Sequence, residues 1–447
     1  MRISQIGLSG THAAQAALGM SARNTANLMT KGYTRQGVLL TPRVGGGVTV
    51  QSLIRFSDEA RTQQMWQSNA MLGRQTAGES YFAQLEQVMS LEDGSVKAGL
   101  DGLFAALDEA SVDPMSAPLR QQVITSADAF AKSINGLLQT QGRQLDTLRQ
   151  QAGATARQIN ALSGTVADLN RRIAEGQASG NVPSEWIDQR DQALDTLAGL
   201  VDIRTLRQPD GSVDVSLAAG PPLVAGHQVA TLDVRPGNDG TFSLALALGG
   251  AVYPLDGEAA GGAIGGLFAF ADGVLMPQMA GAKSLAGELA QRMNAQLAAG
   301  FGTDGQPGEP LFDIDAASGM LHLRAGVTPD RLGFSSDPAT PGDSGNLLAL
   351  IALRQARIDV PGLGETAIGD VYTMLVGRLG SQSSQNQAAL ETASELRTQA
   401  EQAWQSVSGV SMDEEAVNIS ETMQIYNANM KVISVANALF ATTLNSF

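Results

Sequence analysis

Apolar residues recur along this chain at alternating steps of three and four. Near the C-terminus that step selects Met412, Ala416, Ile419, Met423, Tyr426, Met430, Ile433, Asn437, Phe440, Leu444 and Phe447, and only Asn437 among them is polar. Positions about 3.5 apart fall on one stripe of an α-helix, the seam of a coiled coil. A helix over 412–447 would be about 54 Å long. Asn437 on the seam is expected to fix register at some cost in stability. At the N-terminus the same step gives Ile3, Ile6, Gly10, Ala13, Ala17, Met20, Asn24 and Asn27. Those side chains are mostly small and let a partner approach closely. The small N-terminal seam is therefore expected to pair with the large C-terminal one.

The middle repeats the pattern on a larger scale. From Ile124 through Leu138, Leu148, Ile159 and Val166 to Ile173 the stripe runs for fifty residues, about 75 Å as one helix. Gly136, Gly142, Gly153 and Gly164 each weaken it by ~1 kcal/mol relative to Ala, so bends are expected. A second run goes from Ile368 to Val407, and the two long helices are expected to satisfy each other as an antiparallel pair. Shorter helices are predicted over 58–91 and 184–198, with Pro114 and Pro118 just before the long helix.

Residues 201–256 alternate and turn, with Asp210-Gly211 and Asp239-Gly240 between strand-like runs. Residues 262–300 return to helix, with Leu285, Leu289, Met293 and Leu297 on one face, and 301–339 are rich in Gly, Pro and Asp around a strand-like MLHLRAGV. The predicted fold is mainly α with inserted β. It comprises a terminal coiled coil (1–40 and 411–447), a long-helix rod domain (41–200, 262–300 and 340–410), an inserted β domain (201–261) and a short irregular or β module (301–339).

Composition narrows the chemistry. The 447 residues include no Cys and three His, namely His12, His227 and His322. Thiolate metal sites, disulfides and thiol nucleophiles are excluded, and no HExxH spacing exists. A net charge of −15 argues against nucleic acid as a partner. No continuous apolar run approaches the ~20 residues of a membrane span, and MRISQIGLSGTHAAQ lacks the apolar stretch of a cleavable signal. The chain is thus expected to be cytoplasmic or exported by another route. Residues 1–57 carry Arg2, Arg23, Lys31, Arg35, Arg43 and Arg55 with no acid, while the last 37 carry Asp413, Glu414, Glu415 and Glu421 against Lys431. That asymmetry suits pairing of the two ends, within or between subunits.

Enzyme motifs fail on context. Gly300, Gly302 and Gly305 fit GxGxxG but precede a proline-rich stretch rather than a helix. Asp313 and Asp315 begin a calcium-like loop whose third ligand position is Ala317 and whose twelfth is Arg324. Ser9 lacks a GxSxG frame, and the acidic run 413–415 sits where a helix N-terminus favours negative charge. The three Trp, at 66, 186 and 404, read as packing residues.

The two ends resemble a family. LSGTHAAQAALGMSARNTANLMTKGYTRQ is similar to the start of bacterial flagellar axial proteins, a helix with an Asn-rich end and then a Gly-Tyr-Ser/Thr-Arg-Gln turn. The matching positions are Asn24, Asn27, Gly32, Tyr33, Thr34, Arg35 and Gln36, while Met29-Thr30-Lys31 departs from the usual Asn-Thr-Pro. The C-terminal end resembles the family's other end at Asp413, Glu414, Glu415, Gln424, Tyr426, Ala428, Asn429, Ala436 and Asn437. Residues 57–89, 113–141 and 186–203 are similar to the hook-associated members that form the first junction between hook and filament. The resemblance covers roughly 1–205, 262–312 and 366–447, and the chain is shorter than several such relatives.

The resemblance implies a structural adaptor with no catalytic site, no cofactor and no metal. It implies type III export without a cleaved signal and a place outside the cell at the hook–filament junction. The implied partners are further copies in a ring-like layer, the hook protein, a second junction protein, and an export chaperone over the C-terminal helix. The expected assembly interface comprises Ile6, Ala13, Met20, Asn24, Asn27, Gly32, Tyr33, Arg35, Gln36, Asp413, Glu414, Glu415, Ile419, Met423, Tyr426, Asn429, Ile433, Asn437, Phe440 and Leu444. Residues 1–40 and 411–447 are expected to be mobile before assembly. The alternatives are another axial protein of rod or hook, and a secreted wall hydrolase carried on an axial scaffold.

Overall fold

The structure is a computed structural model that describes residues 2–90, 95–180, 182–218, 220–237, 240–315 and 318–446. Asp239, Ala317 and Phe447, which enter the sequence expectations, lie outside the described residues.

The chain opens with α1 (Arg2–Ala26), an antiparallel hairpin of β1 (Gln36–Pro42) and β2 (Val48–Arg55), and α2 (Glu59–Met89), started by Asp58 accepting from Ala60 N and Arg61 N. α3 (Val96–Val112) follows a Ser95 cap, and α4 runs unbroken from Ala117 to Ala178 with Pro in its first turn. At 62 residues α4 is about 93 Å long. Every member of the sequence stripe from Ile124 to Ile173 is buried except Leu162, which packs half-buried against the core. The four glycines do not interrupt the helix, because burial along that stripe outweighs their local cost.

After α5 (Ser184–Leu200) come two antiparallel sheets. One orders β3 (Ile203–Arg207), β4 (Val213–Leu217), β5 (Pro222–Ala225) and β6 (Gln228–Val229); the other orders β7 (Thr231–Pro236), β8 (Phe242–Leu248) and β9 (Ala251–Leu255). Asparagines on α4 fasten them. Asn170 Nδ2 donates to Val213 O at 2.8 Å while its Oδ1 accepts from Val213 N at 3.0 Å, and Asn160 does the same to Leu232 at 2.8 Å each way. Each amide thereby imitates a neighbouring strand and satisfies a buried edge.

α6 (Gly262–Phe270) continues through a π-turn into α7 (Met276–Ala299). The 262–299 stretch is apolar enough to span a membrane by composition, and most of its most apolar window is buried inside the protein. Leu285, Leu289, Met293 and Leu297 are all buried, as their spacing predicts. The short β10 (Phe312–Ile314) and β11 (Leu321–Leu323) dock through Asn135 and Asn294 by the same two-way amide bonding. α8 (Gly345–Ala352), a hairpin of β12 (Arg357–Val360) and β13 (Gly364–Ala367), α9 (Val371–Ser408) and α10 (Met412–Asn445) complete the fold.

The expected pairing of the two long helices is corrected. α9 lies antiparallel along α2: Arg61 donates to Ser406 Oγ at 2.9 Å, Asn386 to Gln75 O at 3.4 Å, and the Tyr372 hydroxyl to Met89 O at 2.9 Å. α4 instead packs on α3, α5 and the sheets. The stripe of α4 is covered along its length by α3, α5, α6 and the sheets, which leaves it no free face for α9, whereas α2 brings Met65 and Trp66 beside Trp404 of α9 and turns Tyr81 and Phe82 onto Phe270 of α6. The β1–β2 hairpin straddles the boundary expected at residue 40 between coiled coil and rod, and the β12–β13 hairpin falls inside the expected rod.

Candidate assembly interface

α1 and α10 form an antiparallel pair. Asn24 stands beside Glu415, Gly10 beside Asn429, and Gly7 beside Ile433. A Cβ on Gly7 would lie 2.9 Å from Ile433 Cγ1 and 3.2 Å from Asn429 O, so the small α1 seam sets the close approach. In this register α10 from about Asn437 onward runs past the start of α1.

The inward positions of α10 are Glu415, Ile419, Thr422, Tyr426, Asn429, Ile433 and Ala436. They share Ile419, Tyr426 and Ile433 with the stripe read from the sequence. The other half of that stripe faces out: Met423 is 50% exposed, and Met412, Met430, Asn437, Phe440 and Leu444 are exposed too. Asn437 therefore does not sit in the seam. On α1 the close contacts are at Gly7 and Gly10, and every second inward position of α10 lies one residue before the simple heptad. Ala13 and Met20 are buried, whereas Ile6 lies on the hairpin side of α1 near Gly46.

Where the pair meets the rest of the molecule, the family-type residues converge. Asn24 is buried with its amide fully used. Nδ2 donates to Gln36 O at 2.9 Å and to Glu415 Oε1 at 3.0 Å, and Oδ1 accepts from the Tyr33 hydroxyl at 2.9 Å and Gln36 N at 3.1 Å. Gly32 has φ +80, a left-handed turn that points Tyr33 back to Asn24. Burial holds the Tyr33 hydroxyl protonated above its usual range, with Asp188 adding to the effect. Asn27 closes the end of α1, its Nδ2 donating to Arg23 O at 2.9 Å.

Arg35 pairs with Glu414, lies 4.5 Å over the Phe56 ring, and donates its backbone N–H to Ser408 O at 2.8 Å. Ser411 Oγ accepts from Glu414 N, and Asp413, Glu414 and Glu415 occupy the first turn of α10, where the helix dipole favours anions.

Sequence reading missed two parts of this region. The β1–β2 hairpin rests on α1, with Val48 N donating to Ser9 Oγ at 3.1 Å and Gly46 packed on Ile6. Arg55 ties the hairpin to α5: its guanidinium donates to Asp188 at 2.9 Å, Asp191 at 2.9 Å and Thr34 Oγ1 at 2.8 Å. Burial opposes its charge, but the carboxylates of Asp191 and Asp188 outweigh burial and hold Arg55 above its ordinary value. Alternation around Gly45-Gly46-Gly47 was the available hairpin signal. Among the described residues no group of three His, Cys, Asp or Glu is placed to hold a metal.

The profile described as the helical domain of flagellar hook-associated protein FlgK matches residues 82–312, more than half of the chain. The chain belongs to the flagellar hook-associated protein FlgK family.

A second profile, the C-terminal part of the flagellar basal body rod FlgEFG proteins, matches residues 401–446, which include α10. Among curated relatives, flagellar hook-associated protein 1 of Escherichia coli K12 is 25% identical over 547 aligned residues, covering 98% of each chain. That of Bacillus subtilis 168 is 24% identical over 487, covering 97% of this chain and 96% of that protein. Both alignments are longer than the 447 residues here, so the relatives carry added segments. The solved structure of the flagellar hook junction protein FlgK from Burkholderia pseudomallei superposes with a TM-score of 0.69 at 17% identity, covering 77% of this chain and all of that one. It shares the fold.

Proposed function

We propose that this chain is the structural adaptor that joins hook to filament in the bacterial flagellum. The observation that carries the reading is the half-satisfied α10: α1 covers one stripe, while Met423, Met430, Phe440 and Leu444 remain exposed on a FlgK-family chain. Exposed apolar rows of this extent mark a surface waiting for partners.

In this reading the terminal unit (1–40 and 411–447) packs against further copies in a ring-like layer. The long-helix body (41–200, 262–300 and 340–410) stands outside it, and the β segments (201–261 and 301–339) lie further out. The chain is exported by the flagellar type III route and works outside the cell. The hook protein lies on one side and a second junction protein on the other, and an export chaperone covers α10 beforehand. No catalytic role is assigned.

Deleting the gene tests this. Intact hooks with filament subunits released unattached into the medium are expected; normal filaments on the deletion strain would contradict the reading. A rod or hook role would instead leave no complete hook.

A further inference from the structure

Between α1, the start of α10 and β1 lies a groove of about 710 Å³. Met20, Val38, Phe56 and Val417 give it an apolar wall, and Asp413, Glu414, Glu415 and Glu421 give it four carboxylates against the single guanidinium of Arg35. Arg35 is engaged by Glu414 and the Phe56 ring, and its buried Nε meets no acceptor among the described residues. Glu415 is 2% exposed; its Oε1 accepts from Asn24, but its buried Oε2 has no donor among the described residues. A buried carboxylate oxygen left without a donor is costly, which points to a cationic group supplied from outside.

The chain carries a matching element. At the tip of the β1–β2 hairpin, Val44 is fully exposed, and Arg43 is exposed and makes no ion pair among the described residues. Two backbone hydrogen bonds close the tip, Arg43 N donating to Gly47 O at 2.9 Å and Gly46 N to Arg43 O at 3.0 Å. It cannot fill its own groove. It rests on Ile6 and Ser9 of α1, whereas the groove begins around Ala17 and Met20, about 21 Å along the helix for Ile6 to Met20.

We infer that the Arg43-Val44 tip of one copy seats in this acidic, apolar-walled groove of the next, Val44 against the apolar wall and Arg43 among the carboxylates. The contact joins unlike surfaces, so it propagates head to tail and closes into a ring or winds into a helix. The inference rests on the reading of the chain as a self-assembling adaptor.

The chain has no native cysteine, so Val44→Cys and Val417→Cys can be introduced singly and together. Flagella isolated from cells making each full-length variant are treated with a bismaleimide too short to bridge the two positions within one chain. The double variant is expected to give a ladder of cross-linked copies, and neither single variant should. Adding Arg43→Glu is expected to lower the ladder about tenfold, with recovery on Glu421→Arg in the same chain. Chain present in the flagella without a ladder overturns the inference and leaves the adaptor reading standing. So does cross-linking by a single variant alone, or a ladder indifferent to Arg43→Glu. Absence of the unaltered chain from flagella overturns both.

Discussion

Asn24 makes four hydrogen bonds with one amide, and through them the end of α1, the turn at Tyr33 to Gln36 and the first turn of α10 share one buried centre. Replacing it by Ala would strand a backbone pair and further isolate Glu415. Asn24→Ala should cost about 2–4 kcal/mol, read as faster amide exchange in α1 and α10 with the α4 core unchanged; unaltered exchange would refute the role. Tyr372 offers a pH test. Burial pushes its hydroxyl up to about 12 while it donates to Met89 O. The unfolded chain releases that proton near pH 10. The stability it contributes is therefore complete below pH 10 and is lost as pH rises towards 12. Tyr372→Phe should flatten the fall in denaturant stability across that window; parallel falls in both proteins would contradict it. At this scale the sequence revealed the members of the Asn24 centre through their resemblance. It could not reveal Arg55 with Asp188, because the pair is separated by 133 positions and depends on how the hairpin lands on α5.

The long helices and the β segment at 201–256 were legible from their periodicity, and the stripe of α4 is buried throughout except at Leu162, whereas the short α3 and α8 were not read from it. Partners were not, because a stripe records that a face is covered and not by what. Hence α9 lies on α2, and α10 meets the glycines of α1 with every second inward position one residue before the simple heptad. Glycines separate the two kinds of information. Gly142 on α4 has open space where a Cβ would stand, whereas a Cβ on Gly73 of α2 would overlap Gly199 O of α5. Gly142→Ala should stabilise by ~1 kcal/mol. Gly73→Ala should destabilise by more than about 2 kcal/mol, because backbone must move. A Gly73→Ala melting temperature no lower than that of the unaltered protein would refute the close packing of α2 on α5.

At the scale of the whole molecule, the folded body buries its own core, and the terminal pair retains apolar rows that no other described residue covers. α1 covers only half of what α10 presents, and the last turns of α10 extend beyond α1 altogether. We propose that these ends become fully ordered only against neighbours, as the unpaired rows suggest. The structure also decides which residue to test. Ile433 packs on Gly7, so a charge there would disturb the monomer, whereas Met423 faces outward. The most direct measurement is filament attachment in cells whose only copy carries Met423→Asp, with the purified variant's melt as control. The account predicts hooks bearing no filament and a melt equal to the unaltered protein. Normal filaments on cells making that variant would contradict it.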